Sequence, residues 1–352
     1  MGRSRTEKIR AFLLRAIADG LGSPSKLASE HFGLTRQATS RHLANLIQAG
    51  FVGACGQTRA RKYSLVPSAT QSHTVRIGAS LEEDRVWANY FADPLSVLPG
   101  NVLEICYVGF TEMLNNAKDH SEGTTAWITL TLNAVNVEMS VSDDGTGVFR
   151  KIKQGLGLND EREAILELSK GKVTTDPAAH TGEGIFFTSR MFDEFCILSH
   201  GLFFSHADKC GDWLIEAKRQ NGSGTFVWMK IDRESGRNSR DIYDQFASDV
   251  NANGVPSFSK TRVLVRLLRT GQESLVSRSQ AKRLLAGFQR FKEVMLDFEG
   301  IDSIGQAFAD EIFRVFQNTH PEIRIEPVNV KKGVEQMIWR AGAEARSGGH
   351  NP

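Results

Sequence analysis

The sequence predicts a multidomain chain of three units: an all-α N-terminal unit closed by a β-hairpin, a central α/β sandwich, and a C-terminal α/β unit. Three observations predict this. The chain has 352 residues, 40% of them hydrophobic and 24% charged, enough for more than one buried core. Its charge is uneven: through Ser68, eleven Lys or Arg face three Asp or Glu, a net of +8, so the remainder carries −6 of the +2 total. Hydrophobic periodicity also changes along the chain, from helical stripes, to paired strands, to regular alternation of strands and helices. No apolar run approaches the roughly 18 residues that a membrane helix needs, and the first residues lack a signal-peptide core. Cys55, Cys106, Cys196 and Cys210 are scattered without C-x-x-C spacing. The expectation is a reducing, cytoplasmic setting with no membrane partner and no structural metal.

The N-terminal unit begins with a helical stripe over 6–19, formed by Ile9, Phe12, Leu13, Ala16 and Ile17 and ended by Gly20 and Gly22. A short helix over 25–32, a tight turn at Gly33-Leu34, and a third helix over 35–48 with Thr35 as N-cap give helix-turn-helix spacing. Leu43, Leu46 and Ile47 are expected in the core. Arg36, Gln37, Thr39, Ser40 and Arg41 are expected on the exposed N-terminal turns, where such side chains reach base edges and phosphates. Phe51-Val52 and Tyr63-Ser64-Leu65 then flank a basic stretch containing Arg59, Arg61 and Lys62, which reads as a hairpin with a phosphate-binding tip. Residues 1–68 resemble the winged helix-turn-helix domains of bacterial transcriptional regulators. The resemblance implies double-stranded DNA as partner; the alternative is a winged helix used only for protein contacts, against which the positive charge argues.

A polar linker is expected over 67–74 and a helix over 81–91, before the apolar helix over 102–120. At i and i+4 near the end of that helix, Glu112 and Asn116 share a face, a pair suited to holding a water and a metal. Strands over 126–133 and 135–142 deliver Asp143 into Asp-Asp-Gly-Thr-Gly147. There Asp143 can accept a hydrogen bond from an adenine amino group, and Gly145 and Gly147 admit close backbone approach to a ligand. Gly182 and Gly184 precede a helix over 185–192 whose amides would cap phosphates, and Gly224-Thr225 leads into a strand over 226–231. This ordered set resembles the GHKL ATPases, which include gyrase, mismatch-repair ATPases, histidine kinases and anti-sigma-factor serine kinases, over residues 75–235. The resemblance implies a Bergerat α/β sandwich binding ATP and Mg²⁺. Asn116 would hold the metal, Asp143 would read adenine, Thr225 would bond on the adenine side, and Glu112 would act as general base. Residues 148–181, with Lys170 and Lys172, would form a lid. Phe186 departs from the pattern, since many relatives carry another glycine there.

A charged connector is expected over 232–253. Strands over 262–268, 294–298 and 323–325 then alternate with helices over 277–288, 306–317 and 330–339. The turn Asp302-Ser-Ile-Gly305 separates a buried strand from an amphipathic helix. Residues 255–345 resemble STAS-like domains, distant relatives of anti-anti-sigma factors, and the resemblance implies Ser303 as a phosphosite and a regulatory protein partner. As a plain helix cap, Ser303 would need no such role. Together the units read as an ATP-binding transcription regulator in which the nucleotide pocket controls DNA binding and the C-terminal module. The alternatives are a serine protein kinase acting on Ser303 or a partner, and a slow ATPase clamp. GHKL and winged-helix proteins often dimerise, so the resemblance also implies a homodimer.

Overall fold

The computed structural model of the chain describes residues 4–57, 61–173, 181–207, 211–216, 223–250, 256–269 and 273–347. Arg59 and His180 lie outside them.

The N-terminal unit packs α1 (Arg5–Ala18), α2 (Pro24–Phe32) and α3 (Arg36–Gln48) against the hairpin of β1 (Val52–Cys55) and β2 (Lys62–Leu65). Local signals set its boundaries. A reciprocal capping box joins Ser4 and Glu7, Gly33 closes α2 in the left-handed region at φ 64°, and Thr35 Oγ1 accepts from Ala38 N at 3.2 Å. Ile9, Leu13, Ile17, Ala28, Leu43, Leu46 and Val52 form a core of their own. Arg36, Gln37, Ser40, Arg41, Arg61 and Lys62 are exposed. Thr39, expected among them, is fully buried, its hydroxyl donating to Arg36 O at 3.0 Å. A hydroxyl that bonds back to its own helix can turn inward, where sequence placed it outward.

The central unit is a seven-stranded antiparallel sheet in the order β3-β4-β5-β9-β6-β7-β8. In chain order it comprises β3 (Ala69–Arg76), α4 (Glu83–Tyr90), α5 (Ala92–Leu95), α6 (Gly100–His120), β4 (Thr125–Leu132) and β5 (Asn136–Asp143). There follow α7 (Val148–Leu156), α8 (Glu161–Lys170), α9 (Gly184–Met191), β6 (Glu194–Ser199), β7 (Leu202–Ala207), β8 (Gly211–Glu216) and β9 (Thr225–Asp232). The linker expected over 67–74 is mostly β3, an edge strand paired along its whole length with β4. An edge strand with one ladder and one solvated side can be polar, which hides it from hydrophobic patterning.

Alternation decides which residues face the helices. Ala126, Ile128, Leu130 and Leu132 on β4 and Val137, Met139 and Val141 on β5 are buried, whereas Trp127 and Phe226 on the opposite face are exposed. Helix α6 packs on the inner face against β5 and β9, and α9 lies beside it against β6. Their close crossing is permitted by Gly109, where a Cβ would collide with the Phe192 ring.

The connector expected over 232–253 contains α10 (Ser239–Gln245) and β10 (Ala247–Val250), the latter paired with β11 (Pro256–Phe258). The C-terminal unit has a three-stranded parallel sheet of β12 (Lys260–Leu264), β13 (Glu293–Asp297) and β14 (Arg324–Val328), with α11 (Arg278–Leu285), α12 (Gln306–Asp310), α13 (Gln317–Thr319) and α14 (Lys332–Ser347). Two expected elements break. The strand over 262–268 ends at Leu264 and continues as a 3₁₀ turn, and the helix over 306–317 passes into a π-helical segment at Glu311–Phe316. The central and C-terminal units share one continuous apolar core, running from Val75 to Ala341.

Replacing Gly109 by Ala should lower the thermal midpoint of the full chain, the overpacking cost of about 1–3 kcal/mol outweighing the better helix propensity. Differential scanning calorimetry checks this; an unchanged midpoint would mean that the α6–α9 crossing relaxes freely.

Candidate functional site

The inner face of the sheet ends in a cavity of about 320 Å³. Its floor follows from strand register. Val141 pairs with Val227 and Val227 with Ile197, forming an apolar row, and the next inward positions are Asp143 on β5, Thr225 on β9 and Ser199 on β6. A carboxylate thus continues the buried side of β5, after Val137, Met139 and Val141. The last turns of α6 supply Glu112, Met113, Asn116, Ala117 and His120 as one wall. Val148, Lys151 and Ile152 of α7, Leu168 in the last turn of α8, Val173 just beyond it, and Thr181, Gly182, Gly184 and Ile185 complete it.

Asp143 is 6% exposed. Its Oδ1 accepts from Gly145 N at 2.8 Å and Thr225 N at 3.3 Å, while burial pushes its carboxyl above the ordinary aspartate range despite those two amides. Thr225 Oγ1 accepts from Val148 N at 2.9 Å and so pins the start of α7 to β9. Asn116 carries a buried Nδ2 with no hydrogen-bond partner. A buried amide left without a partner is a costly arrangement in a folded chain. Rotation of the carboxamide would present Oδ1 at the same place.

Glu112 packs against the start of α9, where a Cβ on Gly184 would collide with its carboxylate. Gly182 has φ 70° and lies against the Val173 backbone, whose amide donates to Gly182 O at 3.0 Å. Gly145 and Gly147 have a different use from the one expected: neither lines the cavity. Gly145 admits the backbone of Ser121, with Thr146 N donating to Ser121 O at 2.7 Å, and Gly147, at φ 91°, admits Ser199 and His200. The His200 ring nitrogen Nε2 bonds Thr146 O at 2.6 Å, so the loop is held by protein on both sides.

The cavity therefore gathers Glu112, Asn116, Asp143, Gly182, Gly184 and Thr225 from four separated segments. It also gathers residues that sequence reasoning passed over. Lys151 is paired with Glu122, which also accepts from Thr146 Oγ1 at 2.9 Å. The Val148/Ile152 spacing was the available signal for that wall, being one helical turn of α7. Outside the lining, Glu183 is pushed upward by burial, opposed by the Lys172 charge. The Tyr243 hydroxyl is pushed up by burial and by the negative charges of Glu112 and Glu183; this residue of α10 meets the Phe187 ring at a tilt, 4.1 Å between centroids. Lys170, expected in a lid, is 1% exposed and points away into the C-terminal unit. Among the described residues no group of three or more His, Cys, Asp or Glu could hold a metal ion.

Ser303 is exposed and does not cap the following helix. Gly305 occupies the N-cap position without a side-chain bond, and neighbouring Asp302 pairs with Lys331 Nζ at 2.5 Å.

Residues 280–335 match a STAS-like domain of unknown function, DUF4325. The chain thus carries a STAS-like C-terminal domain. It is also similar to the HTH-type transcriptional regulators CmtR of Mycobacterium bovis and Mycobacterium tuberculosis, at 38% identity over 68 residues, 19% of this chain. The matched stretch spans 57% of the length of those relatives. No helix among the described residues is long and apolar enough to cross a membrane.

The raised Asp143 gives a signed expectation. Its contribution to stability is fully present below the ordinary aspartate range and is lost as pH rises through the higher folded-state value. Asp143→Asn should therefore unfold at a higher temperature than the parent at pH 7, with a lead that shrinks as pH falls toward about 4, the ordinary carboxylate range. Thermal melts across that range check it; a pH-independent lead would mean that the carboxylate is not penalised by burial.

Proposed function

We propose that the chain is an ATP-binding transcription regulator, with a GHKL-type pocket coupled to a DNA-binding winged helix and a STAS-like interaction module. One observation carries the nucleotide reading: side chains from α6, β5, the turn before α9 and the start of β9 converge on a single cavity with an apolar floor. The floor of Val141, Ile197 and Val227 suits a base, and the Asp143 carboxylate suits its exocyclic amino group. Gly182 and Gly184 open the N-terminal end of α9 toward phosphates. Asn116 would hold Mg²⁺ through its carboxamide oxygen once the amide, whose nitrogen is unpartnered, is rotated. Bound Mg²⁺ would neutralise phosphate charge. The approach of the Glu112 carboxylate to Gly184 at the start of α9 supports a role in accepting a proton from water or a hydroxyl.

The DNA reading is supported by the exposed Arg36, Gln37, Ser40 and Arg41 at the start of α3, the basic Arg61 and Lys62 beside the hairpin tip, and the likeness to helix-turn-helix regulators. A serine kinase reading is favoured by one observation: Ser303 is exposed at a strand-to-helix turn and is not spent on a cap. A regulatory protein docking on the STAS-like module and self-association of the chain follow from the same reading.

Calorimetric titration of Mg²⁺-ATP into the full chain should give saturable binding that Asn116→Ala weakens at least about tenfold, and that Asp143→Asn abolishes by turning a donor toward the base amino group. Absence of binding to the parent protein overturns the nucleotide reading. Retention on double-stranded DNA should fall steeply with salt, and Arg36→Ala with Arg41→Ala should reduce the log–log salt slope by about 0.9 for each phosphate that is no longer neutralised. Intact-mass measurement after Mg²⁺-ATP incubation separates ligand from kinase: phosphate on Ser303 that disappears in Glu112→Ala supports transfer, and unchanged mass removes self-phosphorylation.

A further inference from the structure

The wall of the pocket formed by the end of α8 has two sides. Leu168 and Val173 face the cavity, whereas Lys170 and Lys172 face the STAS-like domain. Lys170 is 1% exposed, and its ammonium donates to Glu167 Oε1 at 2.5 Å, Ala286 O at 2.8 Å and Arg283 O at 3.3 Å. Those two carbonyls belong to the last turn of α11 and its C-cap. A helix leaves its final carbonyls without intrahelical partners and carries partial negative charge there, so a lysine from another unit serves as its cap. The contact is reciprocal along its length. Thr261 Oγ1 donates to Lys170 O at 2.6 Å, Lys172 Nζ donates to Arg290 O at 3.1 Å, and the Arg290 guanidinium returns a bond to Lys172 O. Arg283 pairs with Glu163 at 3.3 Å, and Arg290 lies 3.6 Å from Glu167. Between the two lysines Gly171, at φ 83°, admits the rings of Phe258 and Phe186, and Phe186 belongs to α9 beside the cavity.

We propose that the STAS-like domain is a built-in clamp on this pocket: α11 and Arg290 hold the α8 wall, and the turn from Gly182 to Gly184 behind it, in the shape that receives a ligand. The clamp has two states and little between them. A buried ammonium is tolerated only with its partners in place, so α11 is either seated on Lys170 with its carbonyls satisfied or lifted far enough for water to reach both. Whatever binds the cavity and contacts Leu168 and Val173 then favours the seated state. By linkage, anything that lifts α11 off Lys170 weakens that ligand to the same degree. The identity of the ligand as ATP rests on the reading above; the clamp itself does not.

Hydrogen–deuterium exchange on the full chain tests it, with Lys170→Met and the milder Arg290→Ala. Without nucleotide, both variants should exchange at least about tenfold faster than the parent over 161–173 and 278–290, with β4 and β5 unchanged. In the parent, saturating Mg²⁺-ATP should slow exchange in both segments, although 278–290 does not line the cavity. Parental rates over 161–173 in Arg290→Ala, or ATP protection of 161–173 that stops short of 278–290, overturn the clamp. Where Lys170→Met exchanges rapidly everywhere, Arg290→Ala alone decides. ATP that protects no segment overturns the nucleotide reading, and the comparison without nucleotide still decides the clamp.

Discussion

The burial of one carboxylate at the end of an antiparallel sheet constrains most of the central unit. Asp143 occupies an inward position that register would otherwise fill with an aliphatic side chain, and the fold surrounds it with the backbone amides of Gly145 and Thr225. Presenting both amides to one oxygen requires two tight chain reversals. One runs through Gly147 beside His200; the other runs through Gly224, where a Cβ would collide with the Asp143 carbonyl. The glycines therefore serve the protein's own close packing, and the cavity inherits its shape from that packing.

The second organising feature is the absence of a seam between the central and C-terminal units. Phe186 meets the Phe258 ring tilted at 4.7 Å and the Phe246 ring edge-to-face at 5.0 Å, with the Arg190 guanidinium 3.6 Å above its own ring. Phe258 in turn meets Phe291 at 5.3 Å. These rings join the helix beside the cavity to β11 and to the turn that leads into β13. The N-terminal unit differs, with a separate core and a contact through Arg15 and Asp232 at 2.8 Å.

What the sequence made legible follows from the strength of each physical signal. Helix α6 and strands β4, β5 and β9 are visible because long apolar periodicity has few alternative explanations. The cavity residues are visible because polar and glycine residues interrupt those patterns at their ends. Strand β3 is hidden by its polar edge, and α10 by its high charge, which gives helix and loop the same appearance. Strands β6 and β7 lie in a stretch of mixed aromatic and polar residues where periodicity alone does not choose. Thr39 illustrates a deeper limit, since the rotamer that buries a threonine hydroxyl against its own helix leaves no mark in the pattern. Lys170 illustrates another: its partner carbonyls lie more than a hundred residues away, and only tertiary structure brings a helix end to a lysine.

Only Val66, Pro67 and Ser68 separate strand β2 from strand β3, and two of them are already tied down, Val66 N to Phe51 O at 3.0 Å and Ser68 N to Leu132 O at 2.7 Å. A joint this short behaves as a welded bracket and not as a tether. The exposed Arg36, Gln37, Ser40 and Arg41 of α3 are consequently aimed by the edge of the sheet, so a few degrees of change in sheet twist would be magnified into a displacement at the far end of the N-terminal unit. In a two-copy assembly such a displacement would alter the spacing between paired surfaces, which is the quantity that half-sites on a duplex measure.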